Sequence, residues 1–418
     1  MTAHEVFFQR RQAAAVLKHG ILSRYPRVFA TLTGSTSVGG RVVYLDGYAG
    51  PGRYEPDQGQ DIGAPGSPLL AVETAAKVAQ WAREVCCVFV EKDPTYADNL
   101  RRVLGDEAPA TLNYHVLEGS LEDRLGEALA LAGESPLLTL LDPFGTALPY
   151  GQMLNGLFRR GDDLKTEVLL NLNLESVWRI GGLLTGAETD PEQTTAGRSA
   201  TLQRIDRFLG GDWWRATFRE ARESGDAGSA AEAAQQVATE FCKRVEADSG
   251  FKSFPVPIRR RPDHHPLFLM ILFYRHPAAP YMFNDSASGA NKDWREHFRQ
   301  ADLAEELAKQ ELQPDLFGAE FAIEVSDNDA RRIEGEFDET WTAIIASNIR
   351  DRLTESPIIP VETRFSDLYG PTLGLAREKH LRAAWDRVAD DGLAEPRNRQ
   401  EKRLRRQSIV RRQQDRAP

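Results

Sequence analysis

Val42-Val43-Tyr44-Leu45-Asp46-Gly47-Tyr48-Ala49-Gly50-Pro51-Gly52 reads as a buried strand running directly into a glycine turn. Its first four residues are β-branched, aromatic or aliphatic without polar alternation, which suits a parallel strand covered on both faces. Asp46 then stands at the strand's carboxyl end, where open α/β sheets hold their ligands. Gly47, Gly50 and Gly52 let the main chain turn sharply and approach a ligand closely, because no Cβ intervenes. Many nucleotide folds share such a turn, so its meaning depends on the elements around it.

Upstream, residues 7–29 carry Ala14, Leu17, Ile21, Leu22 and Tyr25 at helical spacing, predicting one helix against the sheet edge. Downstream, the Gly/Pro/Asp-rich segment 53–66 reads as part of a lid or substrate wall, and Ser67-Pro68 as the N-cap and first-turn pair of a helix over 69–83. A second strand over 85–90 ends in Glu91, one βα unit after the glycine turn. A carboxylate there accepts both hydroxyls of a ribose; the plainer alternative is that it caps a surface loop. A helix over 96–104, a third strand over 112–117 and the turn Glu118-Gly119-Ser120 follow, then a helix over 121–131.

The fourth strand, 137–141, ends in Asp142-Pro143-Phe144-Gly145. Asp142 can accept a hydrogen bond from an exocyclic amine, Pro143 offers a carbonyl in a fixed turn, and Phe144 can stack on a base. A fifth strand over 166–172 precedes a helical insert of about 174–250. Two strand-like runs, 254–260 and 267–275, are joined so closely that they must be antiparallel, closing the parallel sheet with a hairpin. That arrangement predicts an α/β fold: a class I methyltransferase (Rossmann-like) sheet with a helical insert, over residues 1–300.

Composition agrees with a folded, soluble chain: 418 residues, 41% apolar and 27% charged. The three cysteines, Cys86, Cys87 and Cys242, lack metal-ligand spacing and read as buried side chains in a reducing compartment. The longest apolar run, 266–274, is about half of the ~20 residues a membrane span needs, so no membrane and a cytoplasmic location are expected. Net charge is −10, but the tail 397–418 holds nine Lys or Arg against two acidic residues, leaving it +7 and the remainder −17. Such a tail fits either a nucleic-acid contact or a solvated terminal helix.

After a connector over 301–335, residues 336–396 read as three helices: one carrying Trp341, Ile344, Ile345, Ile349 and Leu353, a short one with Phe365, Leu368 and Tyr369, and one over 375–388. Their spacing resembles a C-terminal winged helix-turn-helix. Its third helix would place Arg377, Lys379 and Arg382 on nucleic acid, joined by Lys402, Arg403, Arg405 and Arg406 of the tail. A solvated face and a protein-docking role are the alternatives.

Several motifs together carry a family resemblance: Lys18-His19 with Ile21-Leu22 and Tyr25, the opening run through Gly52, Gly66-Ser67-Pro68-Leu69, Phe89-Val90-Glu91, Leu141-Asp142-Pro143-Phe144-Gly145 and Thr166-Glu167-Val168. The ordered set resembles the three-Cys-motif partner proteins, TcmP, over most of the first ~300 residues. The resemblance implies a methyltransferase-like fold and a genomic partner protein with a three-cysteine motif, similar to radical enzymes that bind an iron–sulfur cluster. By analogy with methyltransferases, Asp46, Gly47, Gly50 and Gly52 would line the methionine and ribose parts of S-adenosylmethionine. Glu91 would hold the ribose hydroxyls, and Ser120 takes the place of the usual acidic residue at the adenine. The Asp-Pro-Phe-Gly stretch is similar to that of tRNA guanine-N2 dimethyltransferases, implying methylation of an exocyclic base amine on DNA or RNA. The alternative is a non-catalytic or regulatory protein binding nucleic acid or its partner in DNA processing or phage defence.

Other candidates read more plainly. His264-His265 belong to a hairpin turn without a third ligand, so no metal site is expected. Trp213-Trp214 read as core packing of the insert, and His19 as a satisfied helix histidine; Lys18 has no role assigned by the sequence.

Overall fold

A computed structural model describes residues 13–56, 62–143, 145, 148–185, 196–223, 230–261, 264–312 and 318–413. The chain divides into two compact units, Met1–Arg275 and His276–Pro418. Unit one is a mixed α/β structure with a mostly parallel seven-stranded sheet, compatible with a Rossmann-like fold.

The strands are β1 (Arg41–Asp46), β2 (Glu84–Glu91), β3 (Tyr114–Glu118), β4 (Leu137–Leu141), β5 (Thr166–Asn173), β6 (Lys252–Ile258) and β7 (Phe268–Tyr274). They are ordered β3-β2-β1-β4-β5-β7-β6. β1 lies between β2 and β4 and is parallel to both, whereas β7 is antiparallel to β5 and β6. Helices Ser67–Ala79, Pro94–Glu107 and Leu121–Ala132 make the crossovers, and Leu174–Thr185, Ala196–Leu209, Trp213–Glu223 and Ala230–Ser249 form the insert between β5 and β6.

Register decides what meets at the carboxyl edge. Asp46 lies opposite Phe89 of β2 and Leu140 of β4, so Glu91 and Asp142 each fall two residues beyond those partners. The apolar runs that predicted the strands are buried because helices cover the sheet, and polar side chains collect at the strand ends. In the insert, Trp214 and Phe218 are fully buried and the Trp214 indole N–H donates to Asp206 at 2.8 Å, which is the core packing expected of this pair. Trp213 is half-buried under the Arg244 guanidinium.

Three local expectations are corrected. The helix expected over 7–29 is two, Ala13–Leu22 and Tyr25–Gly34, because Pro26 has no N–H for the Leu22 carbonyl. Residues 7–12 lie outside the described residues. The helix expected from 69 begins at Ser67, with Gly66 as its N-cap, so Ser67 is not the cap. The third strand starts at Tyr114 rather than residue 112.

Unit two begins with two long helices, Ala278–Leu312 and Gly318–Glu355, flanking the 313–317 stretch that lies outside the described residues. Trp341, Ile345, Ile349 and Leu353 form the buried face of the second. Helices Phe365–Tyr369 and Glu378–Asp390 follow, and β8 (Ile358–Pro360) pairs antiparallel with β9 (Ser408–Val410). Through residue 413 the basic tail is therefore not a terminal helix: it returns as a strand whose Ile409, with the nearby Leu404, is buried. Asn284 and Asn291 of the first long helix hold the loop before Glu378, accepting from the Gly374 N–H and donating to the Ala376 and Gly374 carbonyls.

Buried polar pairs of this kind are testable in unit one. The Tyr25 hydroxyl donates to the Glu167 carboxyl at 2.6 Å, and burial pushes that carboxyl up to about 7 despite the bond. Tyr25→Phe is expected to cost about 1–3 kcal/mol. The loss should be larger at pH 8, where Glu167 is ionised, than at pH 5, where it is mostly neutral. Thermal unfolding at both pH values measures it; an equal loss at both would remove the carboxyl from the account.

Candidate functional site

The turn after β1 is fastened to the neighbouring strands by its own main chain. Gly47 N–H donates to the Leu140 carbonyl at 2.9 Å and Ala49 N–H to the Val90 carbonyl at 3.0 Å. Gly50 N–H donates to Glu91 Oε2 at 2.7 Å, and Asp93 N–H to Glu91 Oε1 at the same distance. Gly50 and Gly52 have φ of +69° and +89°, where a side chain is strained, and a Cβ on Gly52 would lie 3.1 Å from Leu100. The segment after it folds back on itself: Tyr54 N–H donates to the Ala64 carbonyl and Gly66 N–H to that of Gly52. Residues 57–61 of this expected lid or wall lie outside the described residues.

Two cavities open at this edge. The first, of about 790 Å³, is lined by Gly47, Tyr48, Glu91, Ser120, Pro143 and Gly145 among others. The second, of about 570 Å³, is lined by Lys18, Gly52, Tyr54, Ser67, Asp142 and Asn171 among others. Tyr48, Pro143 and Ser176 border both. A pair of cavities sharing a wall can hold two ligands side by side.

Asp46 lies beneath the turn and is 0% exposed. Its Oδ1 accepts the Tyr48 N–H at 3.1 Å, while Oδ2 has no hydrogen-bond partner among the described residues. Burial pushes this carboxyl up to about 7; the nearby Ser67 hydroxyl and Tyr48 amide pull the other way, and the Asp142 charge adds to the rise.

Asp142 is not free to meet a ligand with both oxygens. Lys18 Nζ donates to Oδ2 at 2.6 Å, and Asn171 Nδ2 donates to Oδ1 at 2.7 Å. Burial works against the Lys18 charge, but the adjoining Asp142 carboxylate outweighs it and keeps the ammonium protonated. Beside them, His19 shares a 3.1 Å hydrogen bond with the Tyr54 hydroxyl, so it is the satisfied histidine expected.

No protein-family model matches this chain, and no curated protein matches it. The geometry therefore stands on its own residues. Of those expected at the cofactor, Gly47, Glu91 and Ser120 line the first cavity, Gly52 lines the second, Gly50 donates to Glu91, and Asp46 is beneath the turn. The Ser120 side chain caps helix Leu121–Ala132, accepting from Asp123 N–H and donating to the Asp123 carboxylate, so a ligand must compete for it. Of the expected catalytic stretch, Asp142, Pro143 and Gly145 border the cavities, while Phe144 lies outside the described residues. His264 and His265 are exposed. The sequence reading missed Asn171 and gave Lys18 no role. A lone amide within the apolar strand Thr166–Asn173 is the signal that could have found the first.

In unit two, the basic residues expected on nucleic acid are divided. Arg377 pairs with Asp285, Lys379 with Asp338, Arg382 with Glu378 and Arg405 with Glu362. Lys402, Arg403 and Arg406 are exposed. Ion pairs at a surface are worth about 0–1 kcal/mol, so they do not bar phosphates, but they make the helix face nearly neutral.

The raised Asp46 carboxyl gives a prediction. Its ordinary value is 3.8 and its folded value about 7, so ionising it costs stability as pH climbs between the two. Asp46→Asn should stabilise the protein at pH 8 by roughly 2–4 kcal/mol, with little difference at pH 4. Urea unfolding of both proteins across that range measures this, and a destabilised variant at pH 8 would contradict it.

Proposed function

We propose that the chain is an S-adenosylmethionine-dependent methyltransferase of the TcmP type, acting on an exocyclic amine of a nucleic-acid base with a three-Cys-motif protein as partner. The observation that carries this reading is the sheet order, with antiparallel β7 inserted between β5 and β6. It is the arrangement expected of class I methyltransferases. Glu91 adds support, because it lines the first cavity and its carboxylate accepts the N–H of the glycine turn.

The residues fit such a cofactor. Asp46 Oδ2 has no hydrogen-bond partner among the described residues, and 790 Å³ lies within the usual range for ligand pockets. When bound, S-adenosylmethionine would supply an electrophilic methyl group. Glu91 would accept the ribose hydroxyls while Gly50 N–H keeps its carboxylate oriented. Pro143, on the wall common to both cavities, accepts the Gly145 N–H on its carbonyl at 2.9 Å, so the amine would share that oxygen, and the polar floor around Asp142 would orient the base. Positioning of this kind contributes most of the rate in a transfer that needs little acid–base chemistry.

In the C-terminal unit, the reading as a winged helix draws on the two-stranded sheet beside helix Glu378–Asp390. Nucleic-acid contact would centre on Lys402, Arg403 and Arg406 rather than on the ion-paired helix. A second reading, a non-catalytic nucleic-acid or partner-binding protein, draws on the engagement of both Asp142 oxygens by Lys18 and Asn171.

Isothermal titration with S-adenosylmethionine separates the two. Methyltransferase function predicts binding that weakens at least tenfold in Glu91→Ala, about 1.4 kcal/mol. Absence of heat at high protein concentration would sink the enzyme. If the cofactor binds, transfer of labelled methyl to DNA, RNA or the partner protein identifies the acceptor. Independently, the triple change Lys402→Glu, Arg403→Glu and Arg406→Glu should weaken binding of a duplex or single-stranded oligonucleotide and flatten its salt dependence. Unaltered affinity would remove the tail from nucleic-acid contact.

A further inference from the structure

Asn171 lies on β5, 3% exposed, on the lining of the second cavity. Its Nδ2 donates to Asp142 Oδ1, and Asp142 Oδ2 is held by Lys18, so three side chains form one chain of hydrogen bonds. That chain fixes which way the amide faces. Rotating it would set Asn171 Oδ1 against a carboxylate oxygen, two acceptors with no proton between them. Oδ1 is thus held in one orientation, and it is buried without a hydrogen-bond partner among the described residues.

A bare buried carbonyl oxygen costs about 1–3 kcal/mol, which a ligand N–H reaching it would recover. Lys18 offsets the charge of Asp142 at 2.6 Å, so the cavity floor suits a neutral donor better than a cation. Tyr48, Tyr54 and Phe268 line the same cavity and offer aromatic surface to a planar ring.

We propose that Asn171 Oδ1, rather than Asp142, accepts the N–H of the substrate, and that the cavity takes the edge of a neutral nucleobase. Asp142, clamped by Lys18, is a positioning residue that aims the amide. The choice of a nucleobase rests on the function proposed above; the acceptor role of Asn171 does not require methyl transfer.

The test is isothermal titration of the whole chain with adenosine, cytidine and guanosine, each paired with an analogue in which every base N–H is methylated. For at least one pair the parent nucleoside should bind about tenfold tighter or more. Asn171→Ala should bring that ratio close to one. Asp142→Asn, which frees the amide to rotate, should lower the ratio. If Asn171→Ala loses its cooperative unfolding transition, Asn171→Thr, at home in a strand, is read instead. Binding of no nucleoside, equal affinities within every pair, or a ratio that survives loss of the amide overturns the proposal. Parallel titration with S-adenosylmethionine keeps the two readings apart. Discrimination without cofactor binding removes methyl transfer and keeps Asn171 as acceptor; cofactor binding without discrimination does the reverse.

Discussion

The Lys18–Asp142 ion pair, 2.6 Å long with side chains 8% and 17% exposed, constrains the whole carboxyl edge of the sheet. Withdrawing two charges from water costs several kcal/mol per ion, and only close geometry with further hydrogen bonds offsets it. Asn171 supplies one of those bonds, tying β5 to the end of β4 and to helix Ala13–Leu22. Removing one member would take the opposite charge away from the other, a cost of about 3–5 kcal/mol. Three elements far apart in sequence meet at one carboxylate.

Around that pair the electrostatics are uneven. Asp46 and Glu167 are both buried and both pushed up to about 7, so neither is firmly ionised at neutral pH. Glu91 differs in receiving two main-chain N–H groups, one on each carboxylate oxygen, which fix its orientation. The glycine turn therefore does two things. It gives a ligand close access to the main chain, and it orients the carboxylate at the end of β2.

Unit two uses its charges in another way. Its long helices and helix Glu378–Asp390 are laced by pairs such as Arg295–Glu334 and Arg387–Glu339, while His380 is buried, accepts the Arg377 N–H and bonds Asp338 at 2.7 Å. Burial lowers the His380 imidazole, with the Asp338 carboxylate opposing, so it serves packing rather than a solvent-facing charge. Exposed cations are left mainly between helix Glu378–Asp390 and β9, where the chain turns back to pair with β8.

The strands were legible because a parallel strand covered on both faces must be apolar throughout: Leu137–Leu141 and the run ending in Asp46 could be read as little else. The glycine turn, Glu91 and Asp142 were legible because strand ends are where such sheets place polar groups. Helix limits were less so, since Pro26 and Gly66 act through single hydrogen bonds that spacing does not reveal. Nor could sequence alone say that the basic tail returns as β9, because that depends on pairing with Ile358–Pro360 some fifty residues earlier. The amino-acid order by itself determined the α/β character and the positions of Asp46, Glu91 and Asp142 at strand ends. Only the tertiary structure decided that Lys18 and Asn171 engage both oxygens of Asp142 and leave one amide oxygen without a partner among the described residues, since hydrogen bonds between residues 29 and 124 positions apart are set by packing.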